Sequence, residues 1–409
     1  MANVTVPIGP QHPALKEPQS FSITLNGEKI VEMDVRLGYN HRGIEKGCES
    51  RTYLQSLYLI ERICGICSQA HSDTYVRAVE ELAGVEIPKR AQYIRVIIGE
   101  LERIHSHMLW LGVAAHEIGF DTLLMYTWRD REAVMDLLAA LTGNRVNYDL
   151  NTLGGVRRDI SPEQAQLILK TMDLLEERTK YYIQIASEET TLIERLSGVG
   201  YLSLDDVLWL GTVGPTARAS GWDRDIRRDD PYDAYPELSF KVVTDTHCDV
   251  YGRVLVRVGE LMECYSLIRQ AVRNLPEGPL VEPLPRYFDA GEVVVRYEAP
   301  RGELIHYVQS AEDDDHPVRV RVRAPTLANL HAVPRMLRNN NLADVPIGVA
   351  AIDPCFSCTD RMIRLHADSR AERAVSWREL RAYGIEWYRR HGIDFSKIKL
   401  NEKLMEGLH

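Results

Sequence analysis

Two Cys-x-x-Cys pairs, placed near opposite ends of the chain, constrain its fold more than any other feature. The first pair is Cys64 and Cys67, and the second is Cys355 and Cys358. This spacing lets two thiolates reach one metal from a single turn, and backbone amides at a helix start lower thiol pKa values. If both pairs serve one centre, the fold must bring together segments that almost the whole chain separates.

Three other uses of these pairs stay open. A structural zinc site usually places two such pairs about 15–20 residues apart, far closer than here. A four-cysteine iron–sulfur cluster is chemically sound. A redox disulfide in each pair is less favoured, because neither lies near a βαβ pattern. The remaining cysteines are isolated, and we expect Cys48, Cys248 and Cys264 to be small apolar residues in the core, the last two on a helix.

Charge and composition exclude several classes of protein. The formal net charge of −10 argues against nucleic acid as a partner, since a phosphate backbone requires a basic surface. The run from Asp223 to Arg228 mixes both charge signs and is interpreted as a solvated loop. No uncharged apolar stretch reaches the roughly 18 residues of a membrane span. The start of the chain lacks the pattern of a secretory signal, and seven cysteines indicate a reducing, cytoplasmic compartment.

Helical periodicity predicts a mainly α (α+β) fold, a helical bundle with small peripheral β elements. The predicted helices cover about 50–63, 68–83, 89–118, 128–142, 161–197 and 246–273, with a further helix from Thr326 to Arg338. Alternating apolar residues predict a β-hairpin at about 21–37 and a β element at about 290–324. We therefore expect one domain over residues 1–361, with its bundle at about 50–275, followed by a charged C-terminal extension over 362–409.

The residues around the two pairs make the pattern more specific. The first motif reads R-x-C-G-x-C-x-x-x-H, which on a helix places His71 one turn below Cys67, within reach of a hydrogen bond to the sulfur. The second motif, starting at Asp353, reads D-P-C-x-x-C-x-x-R. Both motifs resemble the metal-binding motifs of the [NiFe] hydrogenase large subunit.

The resemblance extends along most of the chain. Residues 9–18 (GPQHPALKEP), 36–45 (RLGYNHRGIE) and 298–302 (EAPRG) are similar to the membrane-bound, energy-converting branch, group 4. That branch is related to the 49-kDa subunit at the quinone site of respiratory complex I. Because the complex I relatives lack the four cysteines, the resemblance favours a working hydrogenase.

The resemblance also assigns roles at the metal. It implies that Cys64 and Cys355 bind nickel terminally, while Cys67 and Cys358 bridge nickel and iron. The iron would carry carbonyl and cyanide ligands. Soft thiolates suit a nickel that changes oxidation state. Hydrogen would split heterolytically, with a terminal thiolate as the base.

Four further residues receive roles around this centre. Arg301 resembles the arginine that overhangs the open metal position; its pKa above about 12 favours positioning and electrostatics over a role as base. Glu45 resembles the carboxylate that relays the proton, if it is partly buried. Asp353 would orient Arg301 or cap the turn before Pro354, and His71 would support a sulfur ligand. His105 and His107 point to different faces of one helix and are interpreted as core or surface polar residues.

Processing and partners also follow from the resemblance. In many relatives a maturation protease removes the tail after nickel insertion; here it would cut between Arg361 and Met362. No cysteine is left for an iron–sulfur cluster of the chain's own. Electrons would therefore leave through a small subunit with a [4Fe–4S] cluster.

The expected setting is an ion-translocating complex, peripheral on the cytoplasmic side of the cell membrane. Further iron–sulfur and antiporter-like membrane subunits would belong to it. The complex would reduce protons, as formate hydrogenlyases or ferredoxin-linked hydrogenases do. The alternatives are a complex I-like coupling subunit and a sulfur-compound reductase on the same scaffold.

Overall fold

A computed structural model describes residues 3–13, 15–287, 289–359 and 377–390 of the chain. The chain divides into two units, residues 1–360 and 361–409. In the second unit, the structure describes one helix, Trp377–Arg390. The predicted processing point at Arg361 and Met362 lies outside the described residues.

Helices dominate the first unit, and the prediction of a mainly α fold with small sheets is confirmed. The helices are α1 (Ile44–Cys48), α2 (Tyr53–Glu61), α3 (Ser68–Ala83), α4 (Lys89–Glu117), α5 (Asp121–Thr142), α6 (Pro162–Glu188), α7 (Thr190–Leu196), α8 (Leu204–Leu210), α9 (Pro215–Arg218), α10 (Ile226–Asp229), α11 (Val250–Arg273), α12 (Pro325–Asn329), α13 (Ala332–Leu337) and α14 (Val345–Ala350), with α15 (Trp377–Arg390) in the second unit. The strands are β1 (Val4–Ile8), β2 (Ser20–Asn26), β3 (Lys29–Arg36), β4 (Asn151–Thr152), β5 (Gly155–Val156), β6 (Gly291–Ala299), β7 (Gly302–Ser310) and β8 (Arg319–Arg323).

Four long helices, α4, α5, α6 and α11, pack against one another as a bundle. Helix α4 lies inside it, and nearly all of its side chains are buried, including charged ones such as Glu100 and Arg103. Burying a charged side chain is unfavourable unless it has a partner of opposite charge. The core of the bundle therefore contains ion pairs, such as that between Glu100 and Arg103, as well as apolar side chains. None of the described helices is both long and apolar enough to cross a membrane.

Two antiparallel three-stranded sheets flank the bundle. In the first, the order is β1-β2-β3, and β2 and β3 pair in the region of the predicted hairpin. The strand β1 was not predicted, because it is only five residues long, contains a proline and is mostly exposed. In the second, the order is β6-β7-β8, and both β6 and β7 contact α3. The tight turn between β6 and β7 carries Arg301, which places that side chain at the end of a rigid hairpin.

Some predicted elements differ from the structure. Helix α5 begins at Asp121, about two turns earlier than predicted, because its first turns are largely exposed and give little periodicity. The helix predicted over 161–197 is interrupted at Glu189, whose extended backbone ends α6 while its side chain caps α7. The helix predicted from Thr326 to Arg338 is divided into α12 and α13.

The interpretation of the segment from Asp223 to Arg228 as a solvated loop was wrong for its centre. Asp225 and Arg227 are buried, and Arg227 forms ion pairs with Asp225 at 2.6 Å and with Glu100 of α4 at 3.0 Å. The opposite charges of this segment form ion pairs inside the protein. Sequence alone does not separate such a pair from a solvated one.

Candidate metal centre

The first cysteine pair lies in the connection between α2 and α3. Cys67 is the residue that caps the start of α3, and the amides of Ile66 and Cys67 each donate to the sulfur of Cys64 at 3.3 Å. Amides that converge on a sulfur stabilise its anionic form. Hydrogen bonds from Cys355 and the neighbouring thiols, with the Arg301 cation nearby, hold the pKa of Cys64 well below its ordinary value.

The second pair follows helix α14. Asp353 adopts a positive φ of 52° and precedes Pro354, and this turn directs Cys355 back into the core. The amide of Cys355 donates to the hydroxyl of Thr326 at 3.1 Å, and the segment Phe356–Thr359 forms a 3-10 turn that contains Cys358. A single turn therefore presents both thiols on one side.

The four sulfurs converge. Cys64 and Cys355 lie 3.3 Å apart, Cys67 and Cys358 3.6 Å, and Cys355 and Cys358 2.9 Å, measured between Sγ atoms. Each residue is at most 7% exposed. Thiolates around one metal at about 2.3 Å stand about 3.8 Å from each other, so the cluster fits a sulfur-bound metal centre after small shifts. This geometry alone also suits zinc or an iron–sulfur cluster.

A buried ion pair stands beside the sulfurs. Arg301 donates from Nη2 to Asp353 Oδ1 at 2.9 Å and from Nε to the Asp353 carbonyl at 2.7 Å. Burial by itself would lower the pKa of Arg301, but Asp353 and the neighbouring cysteine thiolates raise it well above its ordinary value. Arg301 is 2% exposed, so it is not an arginine in water at the edge of a strand, and it remains a cation. Asp353 orients it, as one of the two predicted roles requires.

His71 occupies the second turn of α3 and is fully buried. Its Nε2 lies 3.5 Å from the sulfur of Cys358, on the opposite motif. The sequence analysis placed His71 within reach of Cys67 on its own helix; in the structure, the sulfur within hydrogen-bond distance of His71 is that of Cys358, from the second motif. Its Nδ1 lies 3.2 Å from Nε2 of His306 on β7, a residue that sequence analysis did not single out.

Glu45 lies on the first turn of α1. Its carboxylate accepts a hydrogen bond from the amide of Val322 at 2.8 Å and forms an ion pair with Arg321 at 3.2 Å. The side chain is 20% exposed. It is thus partly buried against β8, while Arg301, Asp353 and His71 are in the immediate surroundings of the sulfurs.

Sequence reasoning missed the residues that hold the two cysteine loops together. The guanidinium of Arg42 donates to the carbonyls of Arg62 at 3.0 Å, Ile63 at 2.8 Å and Ser357 at 3.0 Å, so one side chain links both motifs. Arg42 stood within a segment already noted for its family resemblance, but its role needs the two loops to be adjacent. That adjacency is a tertiary property.

Two buried or partly buried glutamates also bind the loops. Glu17 accepts from the amides of Phe356 at 2.5 Å and Ser357 at 3.3 Å, beside Cys355. Glu102 of α4 accepts from the first amides of α3, those of Gln69 and Ala70, at 2.6 and 2.9 Å. Glu17 lies within residues 9–18, a segment noted above for its family resemblance.

His105 and His107 are both buried core residues. His105 Nε2 donates to the carbonyl of Ile66 at 3.1 Å, while its Nδ1 faces Arg131 at 3.2 Å. Burial, with help from Arg131, lowers the pKa of His105 to about 3. His107 instead pairs with Glu260 of α11 at 2.7 Å. His105 therefore supports the first cysteine loop as a neutral donor.

The three isolated cysteines lie apart from this cluster. Cys48 and Cys264 are fully buried, as expected. Cys248 is only partly buried and precedes α11 with a positive φ of 63°, so its predicted place on the helix was wrong. Its sulfur donates to the carbonyl of Thr246 at 3.4 Å.

The comparisons with known proteins show the class: the large subunits of [NiFe] hydrogenases and their relatives in respiratory complexes. Two family models match the chain. The respiratory-chain NADH dehydrogenase 49-kDa subunit matches residues 117–288 and 285–361, and the nickel-dependent hydrogenase matches residues 42–113. The chain belongs to this family of oxidoreductase subunits.

Individual relatives span both branches of the family. The chain is 48% identical to the membrane-bound hydrogenase subunit alpha of Pyrococcus furiosus, over 88% of each chain. It is 39% identical to an NADH-quinone oxidoreductase subunit of Dehalococcoides mccartyi, over 87% of this chain and 97% of that one. Its structure matches a chain of the membrane-bound sulfane sulfur reductase, an archaeal respiratory membrane complex, with a TM-score of 0.84, 31% identity and coverage of 88% and 98%. These relatives are subunits of membrane-bound or respiratory complexes.

Proposed function

We propose that this chain is the catalytic subunit of a [NiFe] hydrogenase, which interconverts molecular hydrogen with two protons and two electrons. The observation that carries the proposal is the convergence of four buried sulfurs from the two ends of the chain, 2.9 to 3.6 Å apart in three recorded pairs. The match to the nickel-dependent hydrogenase model over residues 42–113 covers the first of the two motifs. That match favours nickel over zinc at this site.

In this proposal the cysteines hold a nickel–iron group. Cys64 and Cys355 would hold the group as terminal thiolates and Cys67 and Cys358 as shared thiolates, and its iron would carry carbonyl and cyanide. When bound, the group supplies the two-electron redox chemistry. Four thiolates suit a redox-active nickel better than oxygen ligands do, and a terminal thiolate takes up the proton.

Arg301 contributes a fixed positive charge beside the sulfurs. Asp353 and the thiolates keep its guanidinium protonated, as its strongly raised pKa indicates. A group that retains its proton cannot serve as the base. Arg301 therefore offsets the negative charge of the thiolates and positions groups at the metal, and Asp353 holds it in place.

Glu45 is the proposed exit for the proton. Its carboxylate is 20% exposed, accepts a hydrogen bond from the amide of Val322 on β8 and pairs with the guanidinium of Arg321 on the same strand. A carboxylate in this position can exchange protons with solvent. The segment that carries it also supplies Arg42, which binds both cysteine loops, so α1 is fixed relative to the centre.

The electrons would leave through a partner. In this proposal Cys64, Cys67, Cys355 and Cys358 hold the nickel–iron group, and Cys48, Cys248 and Cys264 belong to no metal-binding group among the described residues. We therefore propose a small subunit with a [4Fe–4S] cluster, within a membrane complex that contains further iron–sulfur and antiporter-like subunits. The chain would be peripheral on the cytoplasmic side, and a maturation protease would remove residues 362–409.

A second candidate is favoured by a specific observation. The likeness to the sulfane sulfur reductase chain covers nearly all of that chain, so a reductase of sulfur compounds is the alternative chemistry.

A complex I-like coupling subunit is the third candidate, favoured by the NADH-quinone oxidoreductase relative. Nickel analysis and hydrogen-dependent dye reduction distinguish the three: only a hydrogenase requires both.

The test uses the complex purified from its producing cells. Cys355→Ser and Cys67→Ser should each remove nickel and abolish hydrogen-dependent dye reduction, because serine is a hard oxygen ligand. Cys48→Ala is the matched control, since it removes a buried sulfur outside the cluster and should retain both. Zinc without nickel in the wild type, or full activity in Cys355→Ser, would overturn the proposal.

A further inference from the structure

A second histidine stands behind His71 in a continuous line that ends at a sulfur. The Nε2 of His306 lies 3.2 Å from Nδ1 of His71, and the Nε2 of His71 lies 3.5 Å from the sulfur of Cys358. From this geometry we infer that His306 is a positioning residue, which fixes the tautomer of His71 so that His71 donates a hydrogen bond to Cys358. The inference rests on the proposed function, in which Cys358 is a metal ligand.

Both rings are held by rigid elements. His306 lies in β7, the central strand of its sheet, and is paired with Val295 of β6 and Val322 of β8. His71 lies on α3, which packs directly against β6 and β7. Both side chains are 0% exposed. The contact between the rings is therefore a fixed part of the fold.

Burial keeps both imidazoles neutral. Both rings are 0% exposed, and burial disfavours the charged form of an imidazole. A neutral imidazole has one N–H donor and one acceptor nitrogen. The proton on one nitrogen of His71 therefore decides what the other nitrogen can offer.

Two arrangements of protons are available along the line. In the first, His306 Nε2–H donates to His71 Nδ1, and His71 Nε2–H donates to the thiolate of Cys358. In the second, His71 Nδ1–H donates to His306 Nε2, and a nitrogen lone pair faces the thiolate. The first replaces a repulsive contact with a charge-assisted hydrogen bond.

The far end of the line favours the same arrangement. Among the described residues, His306 Nδ1 has no hydrogen-bond partner. In the second arrangement this nitrogen would carry a buried, unsatisfied N–H, which proteins rarely tolerate. In the first it carries only an unpaired acceptor. Both ends of the line thus select His71 as the Nε2–H tautomer.

The expected consequence is electronic. A hydrogen bond to a sulfur ligand withdraws electron density from the metal and tunes its potential. Without His306, His71 would be free to change tautomer, and the donor to Cys358 would be lost in part of the molecules. His306 would influence the metal only through His71.

The test compares two substitutions at His306 in the purified complex. His306→Phe removes the donor at nearly constant volume, whereas His306→Gln retains an N–H donor near the position of Nε2. Val308→Ala, two residues along the same buried face of β7, is the matched packing control. Selective ¹⁵N labelling of histidine reads the tautomer of His71, and infrared spectroscopy reads the carbonyl and cyanide bands of the iron.

We expect the Nε2–H tautomer in the wild type, in His306→Gln and in Val308→Ala, with unchanged infrared bands. In His306→Phe the tautomer should become mixed and the bands should shift. In a His71→Ala background, His306→Phe should cause no additional shift. An Nδ1–H tautomer in the wild type, or unchanged spectra in His306→Phe, would overturn the inference. A wild type that holds another metal in place of nickel would instead refute the proposed function; Cys358 would still be a metal-bound thiolate, so the tautomer measurement would still decide the role of His306.

Discussion

The Nη2 atom of Arg301 lies 2.9 Å from Oδ1 of Asp353, and both side chains are almost completely buried. Asp353→Asn would leave the arginine charge without its counterion. Removing one partner of a buried ion pair lowers the free energy of unfolding by about 3–5 kcal/mol. We expect a somewhat smaller decrease here, because asparagine retains an acceptor oxygen and tolerates the positive φ. Denaturant unfolding should show the loss, with reduced hydrogen activity.

The control for this substitution is Asp136→Asn, which weakens the pair between Asp136 and Arg145, whose side chains are 74% and 43% exposed. An exposed pair contributes at most about 1 kcal/mol. Equal effects of the two substitutions would contradict the special role of the pair between Arg301 and Asp353.

Glu17 should stabilise the second cysteine loop. Its carboxylate accepts from the amides of Phe356 and Ser357, and Glu17→Gln replaces one acceptor oxygen by a donor. Since hydrogen bonds to charged groups contribute about 1.5–3 kcal/mol, we expect a loss of that order in the free energy of unfolding and weaker nickel retention during dialysis against a chelator. Lys16→Ala, which breaks only the partly exposed pair with Glu117 at 3.4 Å, should leave nickel retention unchanged.

Glu45→Gln should slow proton transfer without loss of metal. Because glutamine cannot exchange a carboxyl proton, we expect isotope exchange between hydrogen gas and water to fall by about 100-fold, at unchanged nickel content. The control is Glu49→Gln, which removes the neighbouring carboxylate that pairs with Arg319 on the same strand. A similar slowing in both variants would show that Glu45 has no special part in the route.

His105 makes stability depend on pH. Its pKa is lowered by burial from 6.5 to about 3, so between these values the unfolded chain binds a proton that the folded chain does not. Stability therefore falls as the pH drops below about 6.5, by about 1.4 kcal/mol per pH unit from this residue. His105→Gln should remove that part of the slope in denaturant unfolding at pH 7.5 and 5.5.

His116→Gln, at a histidine whose side chain is 48% exposed, is the matched control for a histidine-to-glutamine substitution outside the core. If the wild type and His105→Gln lost stability equally between the two pH values, the neutral buried state of His105 would be refuted.

Much of the fold was accessible from sequence because apolar residues recur at helical spacing along its long helices. The segments at 68–83 and 89–118 coincide closely with α3 and α4. Prediction failed where burial does not follow periodicity, as in the exposed start of α5 and the buried pair of Asp225 and Arg227. In such places, whether a residue is buried depends on neighbouring elements that are distant in sequence.

By itself, the sequence determined the chemistry that is available: four soft sulfur donors in two short turns, one arginine in a tight β-turn, and helices long enough for a bundle. Only the tertiary structure decided which atoms meet. It directed His71 toward Cys358, placed His306 behind it, and let Arg42 bind both cysteine loops. The reason is physical: local spacing fixes the geometry within one turn, whereas contacts between distant segments depend on how the bundle and the β6–β8 sheet pack together.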